Sequence, residues 1–143
     1  MRLSSPVFEN NAVIPLQFSC QGEGVNPPLA IENIPENTQS LALIADDPDA
    51  SGGMFVHWVV YNIPVISQIE QNSVPGQQGS NDAGGVGYIA PCPPSGTHRY
   101  FFKIYALDRV FDLDEGVSKS SLESAMSGHI LDRAELVGLY KKS

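Results

Sequence analysis

The chain has 143 residues and a mass of 15.4 kDa, enough for one folded domain with a core but not for two. Hydrophobic residues make up 42% and charged residues 17%, as in soluble globular proteins. A net charge of −8 argues against nucleic-acid binding driven by bulk charge and against stable attachment to an anionic membrane surface. No apolar run has the length of a membrane span or the position of a signal peptide, so we predict a single cytoplasmic domain over residues 1–143.

The N-terminal part of the chain alternates short strand-like segments with loops. Residues 3–19 alternate weakly and include Asn10-Asn11 and Pro15, which predicts a short edge hairpin. Further strands are predicted at 29–34 and 40–45. The second of these, SLALIA, is continuously apolar, which fits a strand buried on both faces or a short core helix. The turn residues that bound it favour the strand.

The middle of the chain contains an acidic turn, a long strand and a long loop. The turn covers residues 46–53, and the strand over 54–64 is rich in β-branched and aromatic residues. Residues 65–87 are polar and glycine-rich, which predicts a surface loop. Simple alternation along the strand predicts two faces: Phe55, His57, Val59 and Tyr61 on one, and Val56, Trp58, Val60 and Asn62 on the other.

Residues 85–108 combine a rigid loop with a strand. Pro91, Pro93 and Pro94 restrict the loop because proline fixes φ. The strand Thr97–Leu107 follows directly. Alternation places a first set of side chains on one face: His98, Tyr100, Phe102 and Ile104. Polar groups at the loop end and apolar groups deeper in predict the floor of a small pocket. Arg99 lies on the opposite face, where we expect it to pair with an acidic residue.

The C-terminal region changes to helical spacing. Ser120 and Glu123 fit a capping box with Ser120 as the N-cap. Apolar residues then recur at helical spacing, and Gly128 would divide the segment into two short helices: Leu122, Met126, Ile130, Ala134 and Val137. The chain as a whole therefore predicts a mainly β fold, an antiparallel β-sandwich with a short C-terminal helical segment.

Five polar residues on otherwise apolar or turn segments could carry chemistry: Asp47, Asp49, His57, His98 and Tyr100. Two histidines near two carboxylates could bind an anion when protonated, act as acid and base, or hold a metal. The structural alternatives are a core histidine bonded to backbone and a plain aspartate turn. No nucleophile elbow, phosphate-binding P-loop or dinucleotide motif is present. The residues therefore favour a preformed polar pocket over a reaction.

Cys20 and Cys92 are the two cysteines of the chain. They are too few for a disulfide framework and lack zinc-ligand spacing. In a reducing compartment we expect free thiols, with pairing in the fold as the alternative. Cys92 could serve as a nucleophile beside His57 or His98, but its flanking prolines leave few amides for an oxyanion hole.

Several segments of the chain resemble the phosphatidylethanolamine-binding protein family, the group that includes the Raf kinase inhibitor protein. The most specific are DPDA at 47–50, HWVVYNIP at 57–64 and PCPPSGTHRY at 91–100. The match covers nearly the whole chain in order and is most similar to the prokaryotic YbhB/YbcL-like branch.

The resemblance implies an antiparallel Greek-key β-sandwich with a small anion pocket at one end. Such pockets accept phosphate-like groups, including phosphoethanolamine head groups and small carboxylates or sulfonates. Tyr140 corresponds to a C-terminal aromatic that lines the pocket in longer relatives. The ligand-binding residues that the matching motifs carry over are Asp47, Asp49, His57, Cys92, Pro93, His98 and Tyr100.

The leading hypothesis is a non-enzymatic protein that binds a phosphorylated small molecule, a phospholipid head group or a phosphorylated side chain, with neither cofactor nor metal. In this role it could regulate a kinase or another protein partner. One alternative is a low-activity hydrolase or lyase with His57 or His98 as general base and Asp47 as orienter. Another is a scaffold or interaction protein with a vestigial pocket. By analogy with prokaryotic relatives, we also expect a homodimer.

Overall fold

A computed structural model describes residues 1–143 and shows two β-sheets and one α-helix. A 3-10 turn at Leu16–Phe18 is the other helical element. The predicted mainly β fold is confirmed. The strands are β1 (Arg2–Ser4), β2 (Ala12–Val13), β3 (Leu29–Glu32), β4 (Ser40–Asp47), β5 (Phe55–Ile63), β6 (Gln68–Ile69), β7 (Gln77–Gln78), β8 (Thr97–Leu107) and β9 (Ile130–Lys141), and the helix is α1 (Lys119–Met126).

The larger sheet has six strands in the order β2-β9-β8-β4-β5-β7, and the smaller has three in the order β1-β3-β6. Neighbouring strands are antiparallel except for the short β2–β9 pair, which is parallel. Within the larger sheet, β8 lies beside β4 and not beside β7, the strand that precedes it in the chain. The return of the chain to β8 places the two central strands of the sheet, β4 and β8, side by side.

The larger sheet is covered on both faces. One face packs against the smaller sheet in a core that includes Leu3, Ile31 and Trp58. The other face is covered by α1 and the segment before it, through Leu122 and Phe111. Every residue of β4 is therefore buried, as the continuous apolar run predicted.

The predicted N-terminal hairpin and the predicted N-cap of the C-terminal helix are both wrong. Residues 3–19 do not form a hairpin, because β1 pairs with β3 and β2 pairs with β9 in the other sheet. The helix has Ser118 as its N-cap, not Ser120: the Ser118 hydroxyl accepts a hydrogen bond from the Ser121 N–H at 3.1 Å.

The second predicted C-terminal helix is a strand. The chain turns at Gly128, whose φ is +82°, and β9 then pairs with β8 along most of its length. Apolar residues four apart fit a helix, but they fall equally on one face of a strand, so β8 as a pairing partner decides the outcome. Neither helical segment has both the length and the apolar character needed to span a bilayer.

A bulge in β5 changes the predicted alternation of that strand. Ala45 pairs with Trp58, whereas the next residue, Asp46, pairs with Val56. His57 is therefore the extra residue of the pair, and side chains on either side of it change phase.

The consequence is that His57 and Trp58 face the same side of the sheet. His57 lies against Tyr100, and Trp58 belongs to the same core as Tyr100. Val59 and Tyr61, which were predicted to share a face with His57, belong to the opposite core. The predicted grouping of this strand is wrong for that reason.

Candidate functional site

A cavity of about 230 Å³ opens at one end of the larger sheet. Three strands deliver residues to it from this end: Asp47 is the last residue of β4, Phe55 is the first of β5, and His98 is the second of β8. A loop ahead of β8 closes the side. The lining residues are Asp47, Ala50, Ser51, Phe55, His57, Ile89, Ala90, Cys92, Pro93, Pro94, His98 and Tyr100.

Asp47 and His98 form a buried pair in the cavity wall. His98 Nδ1 lies 2.7 Å from Asp47 Oδ2, and the two side chains are 11% and 4% exposed. The second oxygen, Oδ1, accepts the Asp49 N–H at 2.7 Å. Because a carboxylate only accepts, Nδ1 of His98 carries the proton and Nε2 is the ring nitrogen left for a ligand.

His57 is oriented in a similar way by a neutral group. Its Nδ1 donates to the carbonyl oxygen of Ile89 at 2.7 Å, and the Ile89 N–H donates back to the His57 carbonyl at 2.9 Å. Burial lowers the pKa of His57, although the Ile89 carbonyl and the Asp47 charge act in the opposite direction. Nε2 of His57 has no protein partner. The interpretation of His57 as a core histidine bonded to backbone accounts for Nδ1 but not for Nε2.

Tyr100 lies between the two histidines. Its ring centroid is 5.2 Å from that of His57, edge to face, and 6.5 Å from that of His98, stacked. The residue is 2% exposed and no protein group hydrogen-bonds to its hydroxyl. Burial, assisted by the Asp47 charge, raises the pKa of Tyr100, so the hydroxyl remains a donor at neutral pH.

The remaining wall is a proline-rich segment joined to a second loop by a disulfide. Cys20 and Cys92 are bonded, with their Cα atoms 5.4 Å apart. The expectation of free thiols is therefore wrong, because the fold brings together two residues that are 72 positions apart. Cys92 and Pro93 both line the cavity. In this disulfide form Cys92 has no thiol to act as a nucleophile.

Asp49 lies outside the cavity lining and serves Arg99 instead. The Arg99 backbone N–H, Nε and Nη2 all donate to the Asp49 carboxylate, at 3.0, 2.9 and 2.9 Å. These bonds lower the pKa of Asp49 to about 2. Arg99 does face away from the pocket and pair with an acidic residue, as expected.

Tyr140 is not among the lining residues. Its hydroxyl accepts from Ser19 Oγ at 2.8 Å and donates to Gln21 Oε1 at 2.5 Å. It pairs with His98 across β9 and β8 and holds the loop that carries Cys20. Its role in the fold is to anchor that loop.

No lysine or arginine lines the cavity, so positive charge can arise there only by protonation of a histidine. The sequence did not predict the apolar part of the lining, Phe55, Ile89 and Pro94, or the small residues beside Asp49. Their adjacency to the predicted motifs is the only signal that could have indicated them. No group of three or more His, Cys, Asp or Glu side chains is arranged to hold a metal ion.

Known proteins match this chain over nearly its full length. The profile of the family described as "Phosphatidylethanolamine-binding protein" matches residues 4–141. A UPF0098 protein of Methanothermobacter thermautotrophicus is 46% identical over 150 residues, covering 99% of each chain. A UPF0098 protein of Chlamydia trachomatis is 45% identical over 149 residues, again covering 99% of each.

Two solved structures have the same fold. The homologue CT736 of Chlamydia trachomatis superposes with a TM-score of 0.97 at 44% identity, covering 99% of this chain and 97% of that chain. YbcL of E. coli, described as a member of the mammalian PEBP family, superposes with a TM-score of 0.90 at 26% identity, covering 99% and 98%.

Proposed function

The chain belongs to the phosphatidylethanolamine-binding protein family, and we propose that its cavity binds small phosphate-like anions without catalysing a reaction. A free phosphorylated small molecule, a phosphoethanolamine head group and a phosphorylated side chain of a partner protein all present the same terminal oxygens. The proposal concerns that shared chemistry.

The observation that carries the proposal is the set of unused polar atoms in one cavity. His57 and His98 each have Nδ1 bound by a protein acceptor and Nε2 without a partner, and the Tyr100 hydroxyl is also without one. Among fully buried side-chain nitrogen and oxygen atoms only Asp46 Oδ1 lacks a partner, so these three atoms are accessible to solvent in the cavity and a ligand can reach them. An anion with several oxygens can accept hydrogen bonds from all three at once when both histidine rings are protonated.

The electrostatics couple anion binding to proton uptake. A neutral imidazole presents a lone pair at Nε2, whereas a protonated imidazole presents a donor and a positive charge. Burial keeps the pKa of His57 low in the empty pocket, and a bound anion favours the charged ring and therefore raises this pKa. We expect affinity for phosphate to increase as the pH falls from 8 toward about 6.

The apolar part of the lining accommodates the remainder of the ligand. Phe55, Pro93 and Pro94 contribute ring surfaces, and the cavity of about 230 Å³ has room for little more than an anionic group and a short organic tail. Such a cavity favours small phosphomonoesters over bulky ones.

The test is a titration of the three histidines by NMR, with inorganic phosphate and with phosphoethanolamine. Ring resonances of His57 and His98 should shift with each ligand, and the pKa of His57 should rise at saturation. His129 is the internal control because it lies on another surface, paired with Asp108 at 2.9 Å. If the His57 and His98 signals of the folded protein do not respond to either ligand, the proposal is wrong.

The Tyr100→Phe variant tests the hydroxyl. Loss of one hydrogen bond to a charged ligand should weaken phosphate binding by about tenfold. Tyr105→Phe is the matched control, since Tyr105 lies on the opposite face of the same strand. Equal affinities for the two variants in an isothermal titration would show that Tyr100 does not contact the ligand.

The enzyme alternative rests on the Asp47–His98 pair, in which a carboxylate orients an imidazole as in a general base. It predicts slow turnover of a small phosphomonoester that disappears in His98→Gln. A binding protein predicts no product with wild type, and altered affinity alone in the variant. Product analysis by phosphorus NMR separates the two.

A further inference from the structure

The disulfide between Cys20 and Cys92 combines exposure with a place in the pocket wall. Both cysteine residues are exposed at the surface. Cys92 nevertheless lines the cavity, directly beside Pro93 and Pro94. A reagent in solution can therefore reach a bond that is part of the binding site.

The wall that follows Cys92 has few other attachments. No hydrogen bond joins residues 92–96 to the rest of the protein, and Pro93 and Pro94 have no N–H to donate. The preceding residue, Pro91, accepts the Cys20 N–H at 3.0 Å. Apart from its chain connection to β8 at Thr97, this wall is therefore held by the disulfide, by that one bond and by the packing of Pro93.

The other end of the disulfide is firmly held. Ser19 and Gln21, on either side of Cys20, both hydrogen-bond to the Tyr140 hydroxyl. Tyr140 is the β9 partner of His98 on β8. The disulfide thus ties a weakly attached pocket wall to a loop that is anchored on β9, the neighbour of the strand that carries His98.

We propose that the Cys20–Cys92 disulfide is a reversible thiol-exchange site through which a dithiol reductant controls the anion pocket. The inference rests on the proposed function for its binding readout. A thiolate of the reductant attacks one sulfur, forms a mixed disulfide and releases the other cysteine as a thiolate. The second thiol of the reductant then attacks the mixed disulfide and releases the remaining protein cysteine as a thiolate. The protein disulfide is reduced to two thiols and the dithiol is oxidised to a disulfide.

Reduction should release the wall while the strand residues His57, His98 and Tyr100 stay in place. A pocket that must order its own wall on binding loses affinity. We expect phosphate to bind about fivefold more weakly to the reduced protein. Exchange with a small-molecule disulfide, which is itself reduced to two thiols, re-forms the Cys20–Cys92 bond and restores the original affinity.

The experiment titrates phosphate into oxidised protein and into protein reduced with dithiothreitol, an uncharged dithiol that does not compete for an anion site. Mass spectrometry after alkylation counts the thiols in each sample. The Cys20→Ser/Cys92→Ser double variant should bind phosphate as weakly as the reduced protein does, and dithiothreitol should not change its affinity. If this variant does not fold, reduced wild type remains the test. Equal affinities with two thiols counted, or a disulfide that resists dithiothreitol in the native state, would overturn the proposal.

A second readout does not depend on the ligand. The Cys20 amide, bonded to Pro91 in the oxidised protein, should exchange with deuterium faster after reduction. If neither form binds phosphate, the proposed function fails, while faster exchange of this amide would still support the release of the wall. Unchanged exchange in reduced protein would contradict it.

Discussion

Asp46 and Asp47 are consecutive buried carboxylates of β4 that serve opposite faces of the larger sheet. Asp46 accepts from Lys103 Nζ at 3.1 Å and from Lys119 Nζ at 2.8 Å, both at Oδ2. Asp47 accepts from His98 and from a backbone amide, on the cavity side. The first is paired with two lysine ammonium groups, and the second is paired with a histidine ring.

The difference separates a structural carboxylate from one of the site. Lys119 is the first residue of α1, so the Asp46 cluster ties the helix to the sheet. Its other oxygen, Oδ1, is buried without a partner, a cost that the two ion pairs must offset. Asp47 leaves no oxygen unsatisfied and instead orients a ring whose second nitrogen faces a cavity. Equal burial therefore does not imply equal roles.

The largest expected effect is the loss of stability in Asp46→Asn. Removing the charge leaves two lysines, 26% and 20% exposed, without their counter-ion, and we expect the free energy of unfolding to fall by about 3 kcal/mol. Asp47→Asn is the matched variant and should lose about 1 kcal/mol, because an asparagine oxygen can still accept from His98. Urea denaturation at pH 7 measures the free energy of unfolding of each variant. Similar losses in the two variants would show that the two carboxylates contribute equally to stability.

A smaller effect concerns the pH dependence of stability. Because the folded-state pKa of His57 is lowered by burial, the unfolded chain takes up a proton first as the pH falls below about 6.5. His57 therefore contributes a loss of stability that grows from that pH down to its folded-state pKa. In His57→Gln the decline between pH 7 and 5 should be shallower by under about 1 kcal/mol. Parallel urea-midpoint curves for the two proteins would show that His57 is not held neutral.

The smallest effect is expected at Asp49, the third carboxylate of this region. Its oxygens are taken by Arg99 at the surface, so Asp49→Asn should leave phosphate affinity within about twofold of wild type. The histidine resonances should respond to phosphate as before. A loss of affinity comparable to that of Tyr100→Phe would show that Asp49 does contribute to phosphate binding.

Particular elements show how far the sequence could predict this protein. The strand Thr97–Leu107 and the common face of His98 and Tyr100 were predictable, because an alternating β-branched and aromatic run bounded by a proline loop has few alternatives. The bulge at His57 was not, since nothing in that run marks an extra residue. Its β4 partner, whose pairing skips one position, defines it.

Local patterns in the sequence by themselves determined a mainly β fold, the doubly buried β4 and the pocket-floor face of β8. They also indicated four polar residues that meet in the cavity, Asp47, His57, His98 and Tyr100. The tertiary structure alone decided that β9 is a strand, that Cys20 and Cys92 are bonded, and that Asp49 pairs with Arg99 while Asp47 faces the cavity. Periodicity reports which face of an element is apolar, because it depends on neighbours along the chain. Partners distant in sequence are chosen by the packing of the whole fold, and no local pattern contains that information.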